Sequence, residues 1–199
     1  MKIANILCAV CWCLVLTGGA LQAWAQSATF KIDETHTAVS FAISHLGFSE
    51  THGRFNTVSG SLTYDAANPS KGSLNVTIDA NSIDTNNKQR DDHLRGPDFF
   101  NAKQFPKIEF KSSKVEAAND GWNVTGTMTM HGESKEITIP LKKNGEGETP
   151  FRDYRIGFSG ELKIKRSDFG MKGMIPAEGT KKGIGDEVAI WISFEAVRQ

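Results

Sequence analysis

The chain contains very little cysteine. Cys8, Cys11 and Cys13 are its three cysteines, and all of them lie within the first 25 of its 199 residues. We predict that these 25 residues are removed as a secretion signal, which would leave the remaining chain without a thiol. Disulfide bonds, thiolate catalysis and cysteine-ligated metal sites are therefore not expected. No cysteine ends the N-terminal run, where lipid attachment would require one, so an anchored lipoprotein is not expected either.

The chain also lacks an excess of either charge. It has 23 basic and 23 acidic residues, and the basic ones are scattered except at 163–166 and 181–182. Nucleic acid is therefore not an expected partner, because surfaces that bind it need concentrated positive charge. Long apolar runs are missing too, since no stretch beyond the N-terminus approaches the roughly 20 residues of a membrane span. We expect no stable insertion into a membrane.

Motifs typical of catalysis and metal binding are missing. The run 157–161 lacks the final glycine of a nucleophile elbow, and no phosphate-binding or dinucleotide-binding loop occurs. The five histidines are not paired at the spacings typical of metal ligands, and they are His36, His45, His52, His93 and His131. We therefore predict no catalytic residues, no metal site and no cofactor. An enzyme that isomerises or cyclises a lipid with a single acid remains an alternative.

The N-terminus has the features of an export signal. Lys2 supplies a positive charge, residues 3–16 are largely apolar, and Ala23-Trp24-Ala25 has the small-x-small pattern of a cleavage site. We predict a signal peptide at 1–25 and a single domain at 26–199. A domain of about 170 residues is large enough to bury a full hydrophobic core.

Alternation of apolar and polar residues predicts an all-β protein. The alternation is clearest at 39–43, 74–78, 122–130, 137–141 and 188–194. Further strands are predicted at 29–32, 60–64, 107–115 and 154–164, which gives about eight to ten strands. These strands form an antiparallel sheet with one apolar face. Either a sandwich or a closed barrel would bury that face.

Turn signals separate several of these strands. They are Asn68-Pro69, Asn119-Asp120-Gly121 and Asn144-Gly145. The Gly- and Glu-rich segment 144–150 is interpreted as a loop insertion. At 166–171 we predict a structural corner in which Gly170 adopts a conformation closed to other residues.

One short helix interrupts the strand pattern, around residues 87–95. Asn86 or Asn87 can cap its start, and Gly96 and Pro97 would end it. A helix of about two turns is not stable alone, so we expect it to pack across one end of the sheet with Leu94 as its anchor. The charged run 90–93 is typical of a solvated surface. Alternatively, Arg90, Asp92 or His93 fastens this segment to the barrel rim as a lid that gates access.

Phenylalanine is the dominant aromatic residue. The chain has 12 Phe but only 2 Tyr, a composition that favours apolar burial over polar recognition. Four of the phenylalanines lie close together, at 99, 100, 105 and 110. Such a density of aromatic rings is not left exposed, so the rings fill a core or line a cavity. An eight-stranded barrel is compatible with both arrangements.

A series of motifs resembles the YceI family of bacterial lipid-binding proteins. In chain order they lie at 33–41, 44–47, 53–55, 82–85, 90–94, 98–102, 105–110, 126–132 and 166–171. The resemblance implies an antiparallel, eight-stranded, lipocalin-like barrel with an isoprenoid lipid in its lumen. It also implies a possible homodimer. The export signal, with no cysteine placed for lipid attachment, predicts a free periplasmic protein.

From the family motifs and the strand positions we predict the ligand-binding residues. They are Phe41, Ile43, His45, Phe55, Leu94, Phe99, Phe100, Phe110, Met128, Phe169 and Trp191. Trp191 lies on the opposite strand face from Ile190 and Ile192, so these residues cannot all line the lumen. For His45, a buried and hydrogen-bonded ring is expected, with contact to a lipid head group as the alternative.

These observations favour a carrier of an isoprenoid-tailed lipid, such as a polyprenyl phosphate or an isoprenoid quinone. Transport, storage and sequestration are the roles considered. Three alternatives remain open: an enzyme acting on a small lipidic substrate, a scavenger of hydrophobic small molecules, and a protein-interaction module with a filled core.

Overall fold

The computed structural model describes residues 27–180 and 182–199. The predicted signal peptide lies outside them. The described chain forms strands β1 Ala28–His45, β2 Ser49–Phe55, β3 Val58–Tyr64, β4 Ser73–Asp79, β5 Ile83–Asp84, β6 Lys107–Ala118, β7 Gly121–Met130, β8 Glu133–Glu148, β9 Tyr154–Lys165 and β10 Ile184–Arg198, and one helix, α1 Lys88–Arg95. None of the helices among these residues is long and apolar enough to cross a membrane.

The strands close into an antiparallel barrel of eight. Its order is β1-β3-β4-β6-β7-β8-β9-β10, and β10 closes the barrel by pairing with β1. The first part of β1 pairs with β3, whereas its last part pairs with β2, which in turn carries the two-residue β5. The predicted all-β, eight-stranded, lipocalin-like barrel is confirmed. Closure satisfies the backbone groups that a sandwich would leave unpaired at its edges.

Strand β1 is continuous where the sequence predicts two separate strands. Its pairing with β10 shifts register between Ile32 and Thr37, which marks an irregularity of the β-bulge type. Asp33 holds this bend, because its carboxylate accepts hydrogen bonds from the Thr35 backbone and hydroxyl and from Arg155 of β9. Arg155 also donates to Glu195 of β10 at 2.9 Å. Charge-assisted hydrogen bonds therefore fasten the bend to β9 and, through Arg155, to β10.

The Asp33 network predicts a pH-dependent stability. Hydrogen bonds from Thr35, His36 and Arg155 hold the pKa of the Asp33 carboxyl well below its usual range. A carboxyl whose pKa is lower in the folded state stabilises the fold above about pH 4 and loses that contribution as the pH falls further. We expect Asp33→Asn to lower the free energy of unfolding by about 1–3 kcal/mol at neutral pH. Urea titrations should show that the difference in unfolding free energy between the two proteins becomes smaller below about pH 4. An equal difference at neutral pH and below pH 4 would contradict this role of the Asp33 carboxylate.

Two turn predictions near residue 144 are wrong. Asn144-Gly145 is not a turn, and the segment 144–150 is not a loop insertion, because β8 continues through them to Glu148. The pairing of β8 with β9 shifts register between Lys143 and Gly145, so the extra residue is absorbed as an irregularity within the strand. The chain turns only at 149–153, where the Thr149 backbone N–H donates to the Asp153 carbonyl.

An aromatic plug fills one end of the barrel. It consists of Phe30, Tyr64, Trp122, Phe158 and Phe194, with Phe158 and its neighbours among the most deeply buried side chains. Trp122 stacks on Tyr64 at a centroid distance of 5.1 Å and lies 5.4 Å from Phe158. A second buried cluster, around Val58, Ile83 and Phe169, lies at the opposite end beneath α1. The barrel is thus packed with side chains at the plug end.

Candidate lipid-binding cavity

A cavity of about 370 Å³ lies in the lumen between the plug and α1. Its walls are hydrocarbon side chains from almost every barrel strand. This volume lies in the range of about 300–1,000 Å³ that is typical of small-molecule sites. The strand pleat explains the lining: inward positions alternate, so Phe41 and Ile43 of β1 face the lumen with their partners Ile190 and Val188 of β10.

All of the predicted ligand-binding residues except two line this cavity. The lining ones are Phe41, Ile43, His45, Phe55, Leu94, Phe99, Phe100, Phe110 and Met128. The aromatic members contact one another, since Phe55 lies 5.9 Å from Phe41 and 5.6 Å from Phe100 between ring centroids. The structure therefore brings together residues that are up to 87 positions apart between Phe41 and Met128.

Trp191 does not line the cavity. Its side chain is 38% exposed and lies on the outer face of the barrel, in a shallow depression beside Asn123 and Pro140. The neighbours Ile190 and Ile192 point inward instead. Because adjacent residues of a strand face opposite sides, the inward placement of the two isoleucines fixes Trp191 outside.

Phe169 is buried but does not line the cavity. It is 1% exposed and packs in the cluster that includes Ala102 and Met130. The corner predicted at 166–171 is a 3₁₀ turn, Arg166–Phe169, which ends at Gly170 with a positive φ of 77°. His131 Nδ1 lies 3.0 Å from the Phe169 carbonyl oxygen and holds the turn against β7. Met171, two residues further on, reaches the cavity in its place.

Sequence reasoning missed many aliphatic wall residues. The cavity is also lined by Val76, Ile78, Ile137, Ile139, Leu162, Ile164, Val188, Ile190 and Ile192. Their signal was present in the period-two alternation of four strands, each of which places its apolar set on one face. The predicted set of ligand-binding residues relied on aromatic side chains rather than on this alternation. The alternation is the better guide because it assigns a whole strand face at once.

A glycine makes room for the Phe41 ring of the cavity wall. Gly53 of β2 lies opposite Phe41 of β1 in the sheet. A Cβ at this position would lie 2.4 Å from the tip of the Phe41 ring and 2.8 Å from the Thr85 side chain. Only glycine lets the ring lie across the neighbouring strand without a clash. The motif at 53–55 therefore has a packing role beside the cavity.

A lid covers the open end of the barrel. We define the lid as α1 together with the segment 96–106. Leu94, Phe99 and Phe100 of the lid contact the cavity, as predicted for Leu94. Asn87 caps the helix by accepting a hydrogen bond from the Arg90 backbone N–H. Strands thus form the side walls of the cavity. A short helix that depends on tertiary contacts closes its open end.

Asp91 fastens the lid to the barrel. Its buried carboxylate accepts hydrogen bonds from the Thr85 backbone N–H at 2.9 Å and from the Thr85 hydroxyl at 2.5 Å. Arg90 donates to Thr85, and Arg95 donates to the Ile83 carbonyl. The run 90–93 is therefore not uniformly solvated. Asp92, proposed from sequence as a fastening residue, instead pairs within the helix with Lys88 and Arg95.

Removing the Asp91 carboxylate should loosen the lid. We expect Asp91→Ala to cost about 1–3 kcal/mol, because the Thr85 N–H and hydroxyl lose their buried acceptor. Hydrogen exchange of the α1 amides should then be faster while exchange in β6 and β7 changes little. Asp92→Ala is the matched control, since Asp92 is exposed and its ion pairs contribute little. Equal protection of α1 in Asp91→Ala and Asp92→Ala would contradict the role of Asp91.

Side chains that donate hydrogen bonds gather at the open end of the cavity. Arg90, Arg166, His45 and His93 all contribute to its lining there. His45 is exposed, which corrects the expectation that its ring is buried and hydrogen-bonded. These groups donate hydrogen bonds, so they suit an acceptor-rich head group rather than a hydrocarbon.

Arg166 is a buried cation without a carboxylate in ion-pair contact in the described parts of the chain. It donates to the carbonyl oxygens of Gly185, Met171 and Ile184 at 2.8–3.0 Å. Burial lowers the pKa of its guanidinium, and the charge of Asp186 opposes that shift. Arg166 therefore ties the 3₁₀ turn to the start of β10 and leaves positive potential at the cavity mouth.

Asp33, His36 and Glu195 are grouped closely enough to ligate a metal ion. The guanidinium of Arg155 already lies between the two carboxylates and donates to both. Asp33 and Glu195 therefore serve as partners of Arg155 at the bend of β1. The group adjoins the plug end of the barrel and is separate from the cavity.

Comparison with known proteins agrees with this architecture. A model of the YceI-like domain matches residues 30–196. A UPF0312 protein of Pseudomonas aeruginosa is 42% identical over 178 residues, covering 88% of this chain and 90% of the relative. A UPF0312 protein of Yersinia pestis is 42% identical over 158 residues, covering 78% and 80%.

Solved structures share the fold. BcnA of Burkholderia cenocepacia superposes with a TM-score of 0.71 at 30% identity, covering 82% of this chain and 98% of BcnA. A Campylobacter jejuni YCEI protein gives a TM-score of 0.68 at 33% identity, with 78% and 90% covered. A polyisoprenoid binding domain from Saccharophagus degradans has the same fold at 18% identity, with a TM-score of 0.66 and coverage of 87% and 100%. The motifs, the barrel and the match over residues 30–196 place this chain in the family of YceI-like domain proteins.

Proposed function

We propose that this chain is a periplasmic binding protein for an isoprenoid-tailed lipid, of the polyprenyl phosphate or isoprenoid quinone type. Its role would be transport, storage or sequestration of that lipid. The observation that carries the proposal is the hydrocarbon-walled cavity of about 370 Å³ inside a closed barrel. The export signal predicted at 1–25 supports a location outside the cytoplasm.

Energetics favour a long hydrocarbon chain as the occupant. Each buried CH₂ contributes about 0.8 kcal/mol, so one five-carbon prenyl unit contributes roughly 3–4 kcal/mol. A few units offset the cost of association and give tight binding without a polar contact. Met128, Met130 and Met171 line the cavity and offer flexible, polarisable surface that adapts to such a chain.

The mouth offers donors for the head group. Arg90, His45 and His93 contribute to the lining at the cavity end that lies under the lid, and the buried Arg166 adds positive charge there although its N–H groups donate to backbone carbonyls. Phosphate oxygens and quinone carbonyls both accept hydrogen bonds from such groups, and phosphate adds charge attraction. The Saccharophagus degradans domain, described as polyisoprenoid binding, has the same barrel and lends support to an isoprenoid tail.

We propose binding without catalysis. The titratable residues of the lining are His45, His93, Arg90, Arg166 and Glu109. Glu109 is exposed and alternates on β6 with the buried Ile108 and Phe110, so its carboxylate faces away from the hydrocarbon walls. Arg166 is engaged by three backbone carbonyls, which leaves it a poor proton donor to a substrate. A hydrocarbon tail in the deep cavity would meet only unreactive groups.

Lipid analysis of natively purified protein tests the proposal. The full chain should be expressed with its own N-terminal segment in a bacterium, purified without detergent, extracted with organic solvent and examined by mass spectrometry. We expect about one prenyl lipid per protein molecule. An accessible cavity without prenyl lipid would favour the scavenger, and conversion of an added prenyl lipid would favour the enzyme. A lumen that admits no added lipid would favour the interaction module.

A further inference from the structure

We propose that the mouth of the barrel docks on the surface of an anionic phospholipid bilayer. We define the mouth rim as the β1–β2 turn at 45–49 together with the segment formed by residues 171–180 and 182–184. The rim carries exposed apolar side chains: Phe48 is 90% exposed, Met174 59% and Leu46 37%. Side chains of this size and exposure, grouped at one end of a molecule, mark an interaction surface.

The two parts of the rim form one continuous surface. The Leu46 backbone N–H donates to the Gly183 carbonyl at 2.9 Å, and the Ile184 N–H donates to the Met174 carbonyl at 2.8 Å. Leu46 and Met174 both adopt left-handed backbone conformations, with φ of 54° and 58°. Bulky residues rarely adopt such conformations, and they persist where the surrounding structure enforces them. The backbone contacts thus hold these apolar side chains at the end of the barrel.

The rim is continuous with the cavity. Met174 lines the cavity although more than half of its surface is exposed. His45 and Ile184 also belong to both the rim and the cavity lining. A hydrocarbon chain that leaves the lumen at this end meets Met174 before it meets water. Contact of the rim with a bilayer would give that chain an apolar path between the two environments.

The charge of the rim selects an anionic bilayer. The described part of the segment contains Lys172 and Lys182 against the single acid Glu178, a formal charge of 2 − 1 = +1. Lys172 and Lys182 are exposed, and Arg90 at the adjoining lid has no carboxylate within ion-pair distance among the described residues. Three of the neighbouring acids have partners. Glu50 faces His52, Glu187 pairs with Lys163, and Asp186 accepts from Ser167.

Together these features fit shallow, reversible docking. A few apolar side chains enter the boundary between head groups and acyl chains, while lysines next to them attract anionic head groups. The proposal goes beyond lipid carriage because it concerns the protein's contact with a bilayer, whether or not the cavity is occupied.

Vesicle binding tests the docking surface. The probes are vesicles of phosphatidylcholine alone and of phosphatidylcholine mixed with phosphatidylglycerol, both without prenyl lipid, in a co-sedimentation assay. We expect the mature protein to bind the mixed vesicles more strongly than the phosphatidylcholine vesicles. Its binding to the mixed vesicles should weaken as the salt concentration is raised. Phe48→Ser with Met174→Ser should weaken binding by at least about tenfold. Lys172→Gln with Lys182→Gln should weaken binding to mixed vesicles by about tenfold or more and leave the weak binding to neutral vesicles unchanged.

Phe151 provides the matched control. It is 87% exposed but lies in the β8–β9 turn at the plug end of the barrel. Phe151→Ser should leave vesicle binding unchanged. Absence of binding to mixed vesicles, or an equal loss in Phe151→Ser, would overturn the proposal. It would also be overturned if Phe48→Ser changed the oligomeric state in light scattering but not vesicle binding, because the rim would then be a contact between copies of the chain.

The outcomes separate docking from lipid carriage. If the purified protein holds a prenyl lipid but does not bind vesicles, only the docking proposal is wrong. If it binds vesicles but never holds a prenyl lipid, the proposed carrier function is wrong and the docking surface stands.

Discussion

Ile190→Trp should abolish retention of a prenyl lipid while leaving the barrel folded. Ile190 lies near the middle of β10 and faces the lumen opposite Phe41. An indole in this position occupies the space that the lipid tail requires. Loss of contact with even one prenyl unit removes roughly 3–4 kcal/mol, which corresponds to more than about a 100-fold loss of affinity. Titration with farnesyl phosphate and mass spectrometry of co-purified lipid both measure this effect.

Ser193→Trp is the matched control for this variant. Ser193 lies on the same strand but is exposed on the outer face, so its indole would meet solvent. We expect this variant to keep its lipid. Circular dichroism and thermal unfolding would show that both variants are folded. Undiminished affinity in Ile190→Trp would contradict a luminal site.

Trp122→Ala should cost about 3–5 kcal/mol of unfolding free energy. Trp122 is 4% exposed and lies between Tyr64 and Phe158 in the aromatic plug. Truncation leaves a void that these rings cannot fill without leaving their rotamers, because β3 and β9 fix their backbones. Urea titration monitored by far-UV circular dichroism measures the change in midpoint and slope.

Trp191→Ala is the control for the plug. Trp191 is the same residue type on the outer face of β10 and is much more exposed. We expect this change to shift the unfolding free energy by less than about 1 kcal/mol. Equal losses in the two variants would contradict the view that the plug, rather than aromatic content in general, stabilises the barrel.

The strands of this barrel were largely predictable from sequence, whereas its closure was not. Alternation at 39–43 and 188–194 identified β1 and β10 and even the face of each that is apolar. The pairing of these two strands joins residues about 150 positions apart, such as Phe41 and Ile190. Local periodicity carries no information about such a partner. Only the family resemblance favoured a barrel over a sandwich.

The lid shows where local sequence is sufficient and where it is not. The cap at Asn87 and the end of α1 before Gly96 follow from residue chemistry alone and agree with the structure. The residue that fastens the lid cannot be chosen from residue chemistry alone. Asp91 and Asp92 are adjacent and chemically identical, and only the docking angle of the helix buries Asp91 against Thr85.

The cavity wall was predicted only in part, because local sequence patterns determine the direction of some side chains and not of others. Alternation places Ile190 and Ile192 on one face, and that signal excludes Trp191 from the same face. Phe169 follows a turn rather than a strand, so no alternation constrains its direction. The bends at Asp33 and Gly145 depend on register between strands, which single-strand patterns do not contain. Residues on regular strands were therefore predictable, and those at turns and bulges were not.

The most direct test of the account locates the lipid tail inside the protein. Protein labelled at its isoleucine and methionine methyl groups and at its tryptophan indole rings should be saturated with farnesyl phosphate and examined by isotope-filtered nuclear Overhauser spectroscopy. The account predicts contacts from the prenyl methyl groups to Ile43, Met128 and Ile190, and none to the indole of Trp191. Contacts confined to Trp191 or to other outer-face residues, with none to the three luminal side chains, would contradict it.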